Sequence, residues 1–403
     1  NQAIKPEINA AELFAANPDK AKELRNQGFG LVLSHQRDGI VRGTGVLALL
    51  ADDATHKVIV TERASAHYSL SKGSSRQDYP SSLMGSIALL RQTYLDAQWY
   101  AATKGNAEYN LSLDRMNQLQ GKLPQIFESS DRLTTLRADK IGDEFGTQYI
   151  IKGSGDEYMR LDDLKTTNAA FIIPVKYPKA YDVQDPWDAL NINLTDLKHW
   201  ELAPTNPAAL AKAGFNFALT SADLKETSEF SAAIAKAVKN GLTHEQALKA
   251  LTFSPANILG IYNLAGSLEN NKFANFLITS DSLFKEKTII YENWSNGKRY
   301  IIKDPAKQDM AGFFALNIGT ENFYLEAKAE KPTQAPKLKI WLNDSTSIDV
   351  DYIRRENGLS LQFNAEKDSM VTTRIGKGLI RLSGWLEKEG NHWRGEGQLP
   401  NGK

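Results

Sequence analysis

Residues 148–175 read QYIIKGSGDEYMRLDDLKTTNAAFIIPV and contain two apolar runs on either side of a short helical pattern. The apolar runs are residues 148–151 and 171–175, and residues 161–166 between them predict a short helix. Pro174 places the second strand near an end or an irregularity. A strand, a helix and a second strand joined by short loops predict two neighbouring parallel strands.

The same order of elements is found toward the start of the chain. Residues 15–27 have a helical pattern that ends at Gly28, and residues 30–34 (GLVLS) form an apolar run. We expect residues 30–34 to be a buried parallel strand. Residues 35–45 (HQRDGIVRGTG) are polar and rich in glycine, which predicts a loop after that strand.

Strands and helices alternate from about residue 15 to about residue 260. Short loops between alternating elements predict a parallel sheet or a barrel with roughly six strand–helix units, fewer than the eight of a closed barrel. Thr243 and Gln246 form a capping box at the start of a late helix. The other predicted elements are helices at residues 84–102, 111–119, 131–145, 206–212 and 229–239, and strands at residues 58–61, 124–127 and 215–220.

The pattern changes after residue 272 from helical spacing to a period of two, which predicts an antiparallel β region with one exposed face. We therefore divide the chain into an α/β barrel at residues 1–264, strands of a composite β-sandwich at 265–308 and an antiparallel β domain at 309–403. Trp385 and Trp393 could stack on a sugar or peptide, although core tryptophans are more common in β domains.

Composition excludes several classes of protein. Of 403 residues, 41% are hydrophobic and 24% charged, and the 48 basic residues balance the 48 acidic ones. A neutral chain argues against a dedicated nucleic-acid binder, and no apolar run approaches the ~20 residues of a membrane span. The absence of cysteine excludes disulfides, zinc–cysteine sites and thiol nucleophiles.

The sequence starts at Asn1, and no signal peptide follows. We expect either a mature protein after processing or a part of a longer polypeptide. The compartment is left open by these observations.

Three stretches resemble one enzyme superfamily. Residues 241–278 (GLTHEQALKALTFSPANILGIYNLAGSLENNKFANFLI) resemble the C-terminal signature of the amidohydrolase superfamily, particularly its imidazolonepropionase-like branch. Residues 21–45 resemble the second barrel unit of such proteins, and residues 79–100 resemble a helix of a bacterial subgroup. The resemblance implies a (β/α)8 TIM-type barrel that is N-terminally incomplete, with part of a small β-sandwich. It also implies a periplasmic or exported location, because that subgroup is often exported.

The resemblance implies metal-dependent hydrolysis of non-peptide C–N bonds, in cyclic amides or peptide-like molecules. One or two divalent ions such as Zn²⁺ would activate a water molecule. At the expected ligand positions this chain has Glu128 and Gly153, and Asp223 stands one residue later than the expected aspartate. No two histidines have a ligand spacing, and we therefore assign no metal ligand and no cofactor. The six histidines are His35, His56, His67, His199, His244 and His392.

Five residues are candidates for the site. Asp223 and Glu128 are the catalytic candidates, although a loop or helix-capping carboxylate for Asp223 and a solvated position for Glu128 are the simpler alternatives. His35, Arg37 and Arg42 are candidates for binding an anionic substrate, and a structural ion-pair loop is the alternative. Lys152 and His67 are expected at the surface, and His244 is expected to be exposed.

Two hypotheses about function follow. In the first, the chain is an amidohydrolase-like domain of a larger protein and acts on a small molecule. In the second, it is a non-catalytic barrel that serves as a scaffold and binds a partner, such as another domain of the same polypeptide. We expect neither a nucleic acid nor a membrane span in either case.

Overall fold

The computed structural model divides into two compact units, residues 1–302 and residues 303–403. None of the helices in the described part of the chain is both long and apolar enough to cross a bilayer. The structure describes residues 1–103, 106–285, 288–303, 312–328, 336–341, 347–355, 358–367, 369, 372–373, 376–386 and 393–400.

In the described part of the first unit, seven strands form one sheet in the order β1 to β7. The pairs β1–β2 and β2–β3 are antiparallel, and β3 to β7 run parallel. The strands are β1 (Leu31–His35), β2 (Val41–Leu49), β3 (Ile59–Ser69), β4 (Gln125–Glu128), β5 (Tyr149–Lys152), β6 (Phe171–Pro174) and β7 (Phe217–Thr220).

The start of this sheet differs from the prediction. Strand β1 pairs antiparallel with β2, so the expected parallel strand at residues 30–34 is wrong. Part of the expected loop at residues 35–45 belongs to β2, all nine residues of which are buried. Small residues make this possible, because a Cβ at Gly43 would lie 2.1 Å from the Ile8 carbonyl oxygen and a Cβ at Gly45 would lie 2.6 Å from His67 Nε2. Glycine at positions 43 and 45 thus lets the Ile8 backbone and the His67 side chain approach β2 closely.

Helices cover the parallel part of the sheet, and side chains cap the starts of several of them. The side chains of Ser82 and Asp131 accept hydrogen bonds from backbone N–H groups at the starts of α4 and α6, and Thr243 and Gln246 form the predicted capping box of α12. The described helices are α1 (Ala10–Leu13), α2 (Pro18–Asn26), α3 (Thr55–Val58), α4 (Leu83–Ala102), α5 (Leu111–Leu119), α6 (Arg132–Phe145), α7 (Leu161–Lys165), α8 (Pro186–Leu190), α9 (Leu194–Leu202), α10 (Asn206–Lys212), α11 (Phe230–Lys239), α12 (His244–Leu251) and α13 (Phe253–Ile258).

The core of the first unit lies between the parallel strands and these helices. Tyr68, Phe127 and Tyr149 are fully buried on three neighbouring strands, and Tyr94 of α4 packs against them. The Tyr94 and Tyr149 hydroxyl oxygens lie 2.5 Å apart, so two buried polar groups satisfy each other. The core therefore holds β3, β4 and β5 in fixed register and sets the positions at which these strands end.

A small antiparallel sheet completes the first unit. Its order is β10–β9–β8, with β8 at Phe276–Thr279, β9 at Ile290–Ser295 and β10 at Lys298–Ile301. Asn293 of β9 donates hydrogen bonds of 2.9 Å to the carbonyl oxygens of Arg25 and Phe29, which attaches this sheet to the end of α2. That these strands belong to a composite β-sandwich stays a prediction.

The second unit is an antiparallel β sheet in its described part, as the period of two predicts. Alternate residues of its strands, such as Leu338, Ile340, Ile348 and Val350, form a separate apolar core. Trp385 is 71% exposed rather than part of this core. His392 lies outside the described residues, and the boundaries at residues 264 and 308 stay predictions. The strands are β11 (Gly312–Ile318), β12 (Glu321–Lys328), β13 (Lys337–Trp341), β14 (Ser347–Arg355), β15 (Gly358–Asn364), β16 (Leu379–Leu386) and β17 (Trp393–Gln398).

Candidate functional site

Charged side chains meet where the parallel strands of the first unit end. Glu128 is the last residue of β4 and Lys152 is the last residue of β5, and the two are paired in register. Asp223 follows the end of β7 by three residues. The carboxyl ends of parallel strands lie at one edge of a sheet, and ligand sites of α/β proteins lie at that edge.

Two arginines reach this edge from the antiparallel hairpin. Arg37 lies in the loop between β1 and β2, and Arg42 lies in β2 with a side chain only 5% exposed. The loop itself is held by Asp38, which accepts a 2.6 Å hydrogen bond from the Ser74 backbone N–H and forms an ion pair with Lys5. The antiparallel hairpin of β1 and β2, found where a parallel strand and a loop were expected, therefore supplies two positively charged side chains at this edge.

These five residues, Arg37, Arg42, Glu128, Lys152 and Asp223, form what we call the ion-pair cluster. Arg37 donates to both carboxylates, with Nη1 at 2.9 Å from Asp223 Oδ1 and Nη2 in contact with Glu128 Oε1. Lys152 Nζ also bridges the carboxylates, at 3.3 Å from Glu128 Oε1 and in contact with Asp223 Oδ2. Arg42 Nη1 donates to Glu128 Oε2. Each of the four carboxylate oxygens is thus bound by a cation.

Asp223 adopts an unusual backbone conformation. Its φ is 73°, in the left-handed region that residues other than glycine rarely occupy. The turn is closed by a 3.2 Å hydrogen bond from the Leu224 N–H to the Ser221 carbonyl oxygen. The capping position before the next helical turn is Glu226, so the capping alternative for Asp223 is wrong. A strained conformation at a charged cluster is typical of functional positions.

Both carboxylates are held in the ionised form. Burial by itself raises the pKa of Glu128, but hydrogen bonding and the charge of Arg42, together with Lys152 and Arg37, lower that pKa to about 2. Burial likewise opposes ionisation of Asp223, and Lys152 and Arg37 lower its pKa from the ordinary value. Three cations face two carboxylates, so the cluster has one positive charge in excess. An excess of positive charge favours an anionic ligand.

A histidine pair lies beside the cluster. The rings of His35 and His67 stack with their centroids 3.7 Å apart, and His67 Nε2 lies 2.8 Å from Ser65 Oγ. His67 is 3% exposed in β3, so the expected surface loop at this position is wrong. Burial lowers the pKa of His35 to about 4, with Arg42 and Arg37 acting in the same direction, and burial places the pKa of His67 well below its ordinary value. Both imidazoles are therefore neutral at pH 7.

The buried His35 makes stability depend on pH. Because its pKa is about 4 in the folded protein and 6.5 as the ordinary value, protons bind preferentially to the unfolded chain between these pH values, and stability falls as pH falls. We expect the loss of unfolding free energy between pH 7 and pH 5 to be about 2 kcal/mol smaller in His35→Asn than in the wild type. Urea unfolding at both pH values measures this difference.

The matched control is His56→Gln, because His56 is exposed. Burial and the charge of Asp143 raise the pKa of Asp139 to about 6. Asp139 therefore changes stability with pH in the opposite direction, but it does so equally in all three proteins and does not affect the comparison. Equal pH dependence in His35→Asn and in the wild type would contradict a buried, neutral His35.

The side chains of the cluster do not fit a divalent ion. A metal site needs free carboxylate oxygens or neutral imidazoles that converge on one point. Glu128 and Asp223 use their oxygens for arginine and lysine, and three cations nearby would repel a metal ion. Within the described ranges, no three histidine, aspartate or glutamate residues form a group that could hold a metal.

A large cavity of about 1260 Å³ opens beside the cluster in the first unit. Arg37, Glu128 and Lys152 line it together with both edge strands of the sheet, β1 and β7. Most of the wall is apolar, as in ligand pockets in general. Its apolar side chains include Leu31, Leu33, Leu47, Phe230, Ile234 and Trp294.

The structure brings together the residues that the sequence singled out as candidates. Glu128, Asp223, Arg37 and Arg42 share ion pairs, and His35 lies against His67 beside them. Whether these residues act on a ligand stays a prediction. His244 is exposed, as expected.

Sequence reasoning missed Lys152 and His67. Lys152 was expected at the surface, but its side chain is 14% exposed because two carboxylates face it. A signal was present, since Lys152 and Glu128 both end apolar strands that should be neighbours. Ser65 and His67 alternate within a strand, but the polar segment around them favours a loop when only local sequence is considered.

A parallel α/β sheet with charged side chains at its carboxyl edge is an architecture of many enzymes. Among solved structures, the chain is similar to an amidohydrolase from Thermotoga maritima MSB8, with a TM-score of 0.62 and 22% identity over 74% of this chain and 78% of that chain. Weaker likenesses include a Xaa-Pro dipeptidase (TM-score 0.34, 14% identity, 47% of each chain) and phenylurea hydrolase B (TM-score 0.32, 14% identity, 53% of this chain and 56% of that chain). No protein-family model matches the sequence, and no curated protein matches it. The likeness to the Thermotoga protein shows a shared fold.

Proposed function

We propose that this chain is an amidohydrolase-type domain that binds a small amide or peptide-like molecule with an anionic group at the ion-pair cluster. The observation that carries the proposal is the meeting of Arg37, Arg42, Glu128, Lys152 and Asp223 at the carboxyl edge of the parallel strands. The fold shared with an amidohydrolase and the adjoining apolar cavity support it. Assignment to the imidazolonepropionase-like branch rests on residues 241–278.

Arg37 is the residue that meets the ligand in this proposal. Its side chain is 49% exposed, while Arg42 is 5% exposed and Lys152 is 14% exposed. An anionic group on the ligand can pair with the exposed guanidinium, and Arg42 and Lys152 supply positive charge behind it. Neutral His35 lines the same cavity.

Glu128 and Asp223 have a supporting role in this proposal. A general base works best when its pKa is near the working pH, and the pKa of Glu128 is about 2. Carboxylates this acidic are weak bases, and we assign them to holding the arginine and lysine side chains in place. We derive no hydrolytic step through a metal ion, because the cluster does not fit one.

We also propose that the parallel strands β3 to β7 belong to a (β/α)8-type barrel. Strands β1 and β7 are the two ends of the sheet order, and both line the same apolar cavity. A further strand between them would pair with both edges, since edge strands accept an additional strand readily. A longer polypeptide could supply that strand.

A second candidate function is metal-dependent hydrolysis of a C–N bond by such a longer polypeptide. The position of Glu128 and Asp223 at the carboxyl edge and the fold shared with an amidohydrolase favour this candidate. In that case additional ligands would have to displace Lys152 and Arg37 from the carboxylates. The scaffold hypothesis stays a third prediction, with neither a ligand nor a metal at the cluster.

Calorimetric titration with N-acetylglycine, which carries an amide and a carboxylate, tests the proposed function. We expect saturable binding that Arg37→Ala weakens about tenfold or more, since a lost charge-assisted hydrogen bond costs about 1.5–3 kcal/mol. Arg91→Ala is the matched control, because Arg91 is a half-exposed arginine on α4 that is paired with Glu144. Binding should be unchanged in this control.

Metal analysis of the same protein after incubation with Zn²⁺ or Mn²⁺ separates the candidates. We expect no stoichiometric metal and no release of acetate from N-acetylglycine. One bound metal per chain, with hydrolysis that Asp223→Ala abolishes, would support the second candidate against the proposed function. Absence of both binding and metal would support the scaffold hypothesis.

A further inference from the structure

A buried carboxylate contacts the residues that follow Lys152 of the ion-pair cluster. Glu157 is 1% exposed and belongs to a short 3₁₀ turn, Glu157–Met159, that follows β5. Burial raises the pKa of Glu157, with hydrogen bonds acting in the opposite direction. A buried carboxyl group without adequate partners is costly, so the contacts of Glu157 show what it holds in place.

Glu157 holds the chain immediately after Lys152. Its Oε1 accepts hydrogen bonds from the backbone N–H groups of Ser154 at 2.8 Å and Gly155 at 3.2 Å. A Cβ at Gly153 would lie 2.1 Å from the same oxygen, so the carboxylate occupies the space of a side chain at position 153. The Glu157 carboxylate therefore fills the space beside Gly153 and holds the turn at residues 153–155 in place.

Asn206 connects the Glu157 carboxylate to helix α10. It is 1% exposed at the start of α10, and its Nδ2 donates a 2.6 Å hydrogen bond to Glu157 Oε2. Its Oδ1 accepts a 2.8 Å hydrogen bond from the Tyr158 N–H, which fixes the orientation of the amide. Helix α10 precedes β7, and β7 leads to Asp223. The contact between Glu157 and Asn206 thus joins the elements that carry Lys152 and Asp223.

We infer that Glu157 and Asn206 are a positioning pair that holds Lys152 between the carboxylates of Glu128 and Asp223. The pair touches neither carboxylate and acts through the backbone at residues 153–155. Lys152 must satisfy two partners on different segments, Glu128 at the end of β4 and Asp223 in the turn after β7, so a shift of its strand end breaks one of the two contacts. This inference rests on the proposed function in treating the cluster as the binding site.

The chemistry of the pair allows an exchange of side chains. In Glu157→Gln, the side-chain amide has only one accepting oxygen. If that oxygen accepts from the Ser154 and Gly155 N–H groups, the amide nitrogen faces Asn206 Nδ2, which is also a donor. Asn206 cannot rotate its amide without losing the bond from Tyr158 N–H. In the double variant Glu157→Gln with Asn206→Asp, the glutamine donates to the aspartate and every hydrogen bond is restored.

The test measures how fast Lys152 is acetylated by trace acetic anhydride in the folded protein, relative to exposed Lys239, by mass spectrometry. In the wild type Lys152 should react more slowly than Lys239, because its ammonium group is engaged. We expect Glu157→Gln to raise the relative rate of Lys152 about tenfold, the effect of losing roughly one buried hydrogen bond. The double variant should return this rate to within about twofold of the wild type. Glu245→Gln, at an exposed position, is the matched control and should change nothing.

Two results would overturn the inference. One is an unchanged rate for Lys152 in folded Glu157→Gln, and the other is a double variant that reacts as fast as the single variant. If Glu157→Gln does not fold, Asn206→Ala takes its place, and an unchanged Lys152 rate in that folded variant overturns the inference equally. The assay needs no ligand, so its result is separate from the binding of N-acetylglycine.

Discussion

Replacing Glu128 by glutamine should lower the free energy of unfolding of the first unit by about 3 kcal/mol, because removing one partner of a buried ion pair leaves the other uncompensated. Arg42 is the residue left behind, with a side chain 5% exposed and the Glu128 carboxylate as its ionic partner. Arg37 and Lys152 lose one of their two carboxylates at the same time. Thermal unfolding followed by circular dichroism should show a decrease in Tm of about 5 °C.

Glu144→Gln is the matched control for this change. Glu144 accepts hydrogen bonds of 2.7 Å and 2.6 Å from Arg91 Nε and Nη2, so its geometry is at least as good as that of Glu128. The pair is exposed, however, and exposed ion pairs contribute about 0–1 kcal/mol. A similar decrease in Tm for both variants would mean that the ion-pair cluster is no more important to stability than a surface pair.

Replacing Gly43 by alanine should have an even larger effect, a loss of at least about 4 kcal/mol of unfolding free energy or failure to fold. Gly43 has a φ of 78°, and an added Cβ would lie 2.1 Å from the Ile8 carbonyl oxygen. That oxygen accepts a 2.9 Å hydrogen bond from the Thr44 N–H, so the overlap cannot be relieved without separating the two segments. Expression of soluble protein and urea unfolding measure the result.

Gly146→Ala separates the two causes of this effect. Gly146 has a similar φ of 65° at the end of α6, but an added Cβ there would meet nothing within 4 Å. The backbone conformation alone should cost about 1–2 kcal/mol. Equal losses for the two alanine variants would mean that close packing of β2 against Ile8 contributes nothing beyond the conformational cost.

Most helices and parallel strands of the first unit could be predicted from local sequence. The helix predicted at residues 111–119 is observed as Leu111–Leu119, and the predicted capping box at Thr243 and Gln246 is present. Apolar spacing and capping residues act over three or four positions, so the information is contained in the segment itself. The apolar runs that became β4 to β7 were identified for the same reason.

Strand β2, most of β3 and the antiparallel pairing of β1 could not be predicted in the same way. Residues 41–49 begin with VRGTG and residues 59–69 contain ERASAHY, and such polar or glycine-rich segments favour loops by themselves. They are strands because distant residues cover them, Ile8 over Gly43 and the His67 side chain over Gly45. Contacts between segments more than twenty positions apart are invisible to a local pattern.

For the candidate site too, the sequence identified individual residues but not the contacts between them. Resemblance to a family and the position of strand ends identified Glu128, Asp223, Arg37 and Arg42 as residues of interest. Their assembly into one cluster depends on contacts such as that between Arg37 and Asp223, which are 186 positions apart. Lys152 was missed because a lysine after a strand is usually solvated, and its burial follows only from the two carboxylates around it.

The sequence by itself determined that the chain contains alternating strands and helices followed by antiparallel strands, because spacing and capping are local properties. It also determined which charged residues stand at strand ends. Only the tertiary structure decided that these residues form ion pairs with one another. Whether a carboxylate binds a metal, a proton or an arginine depends on the charges within a few ångströms, and packing brings those charges from distant positions.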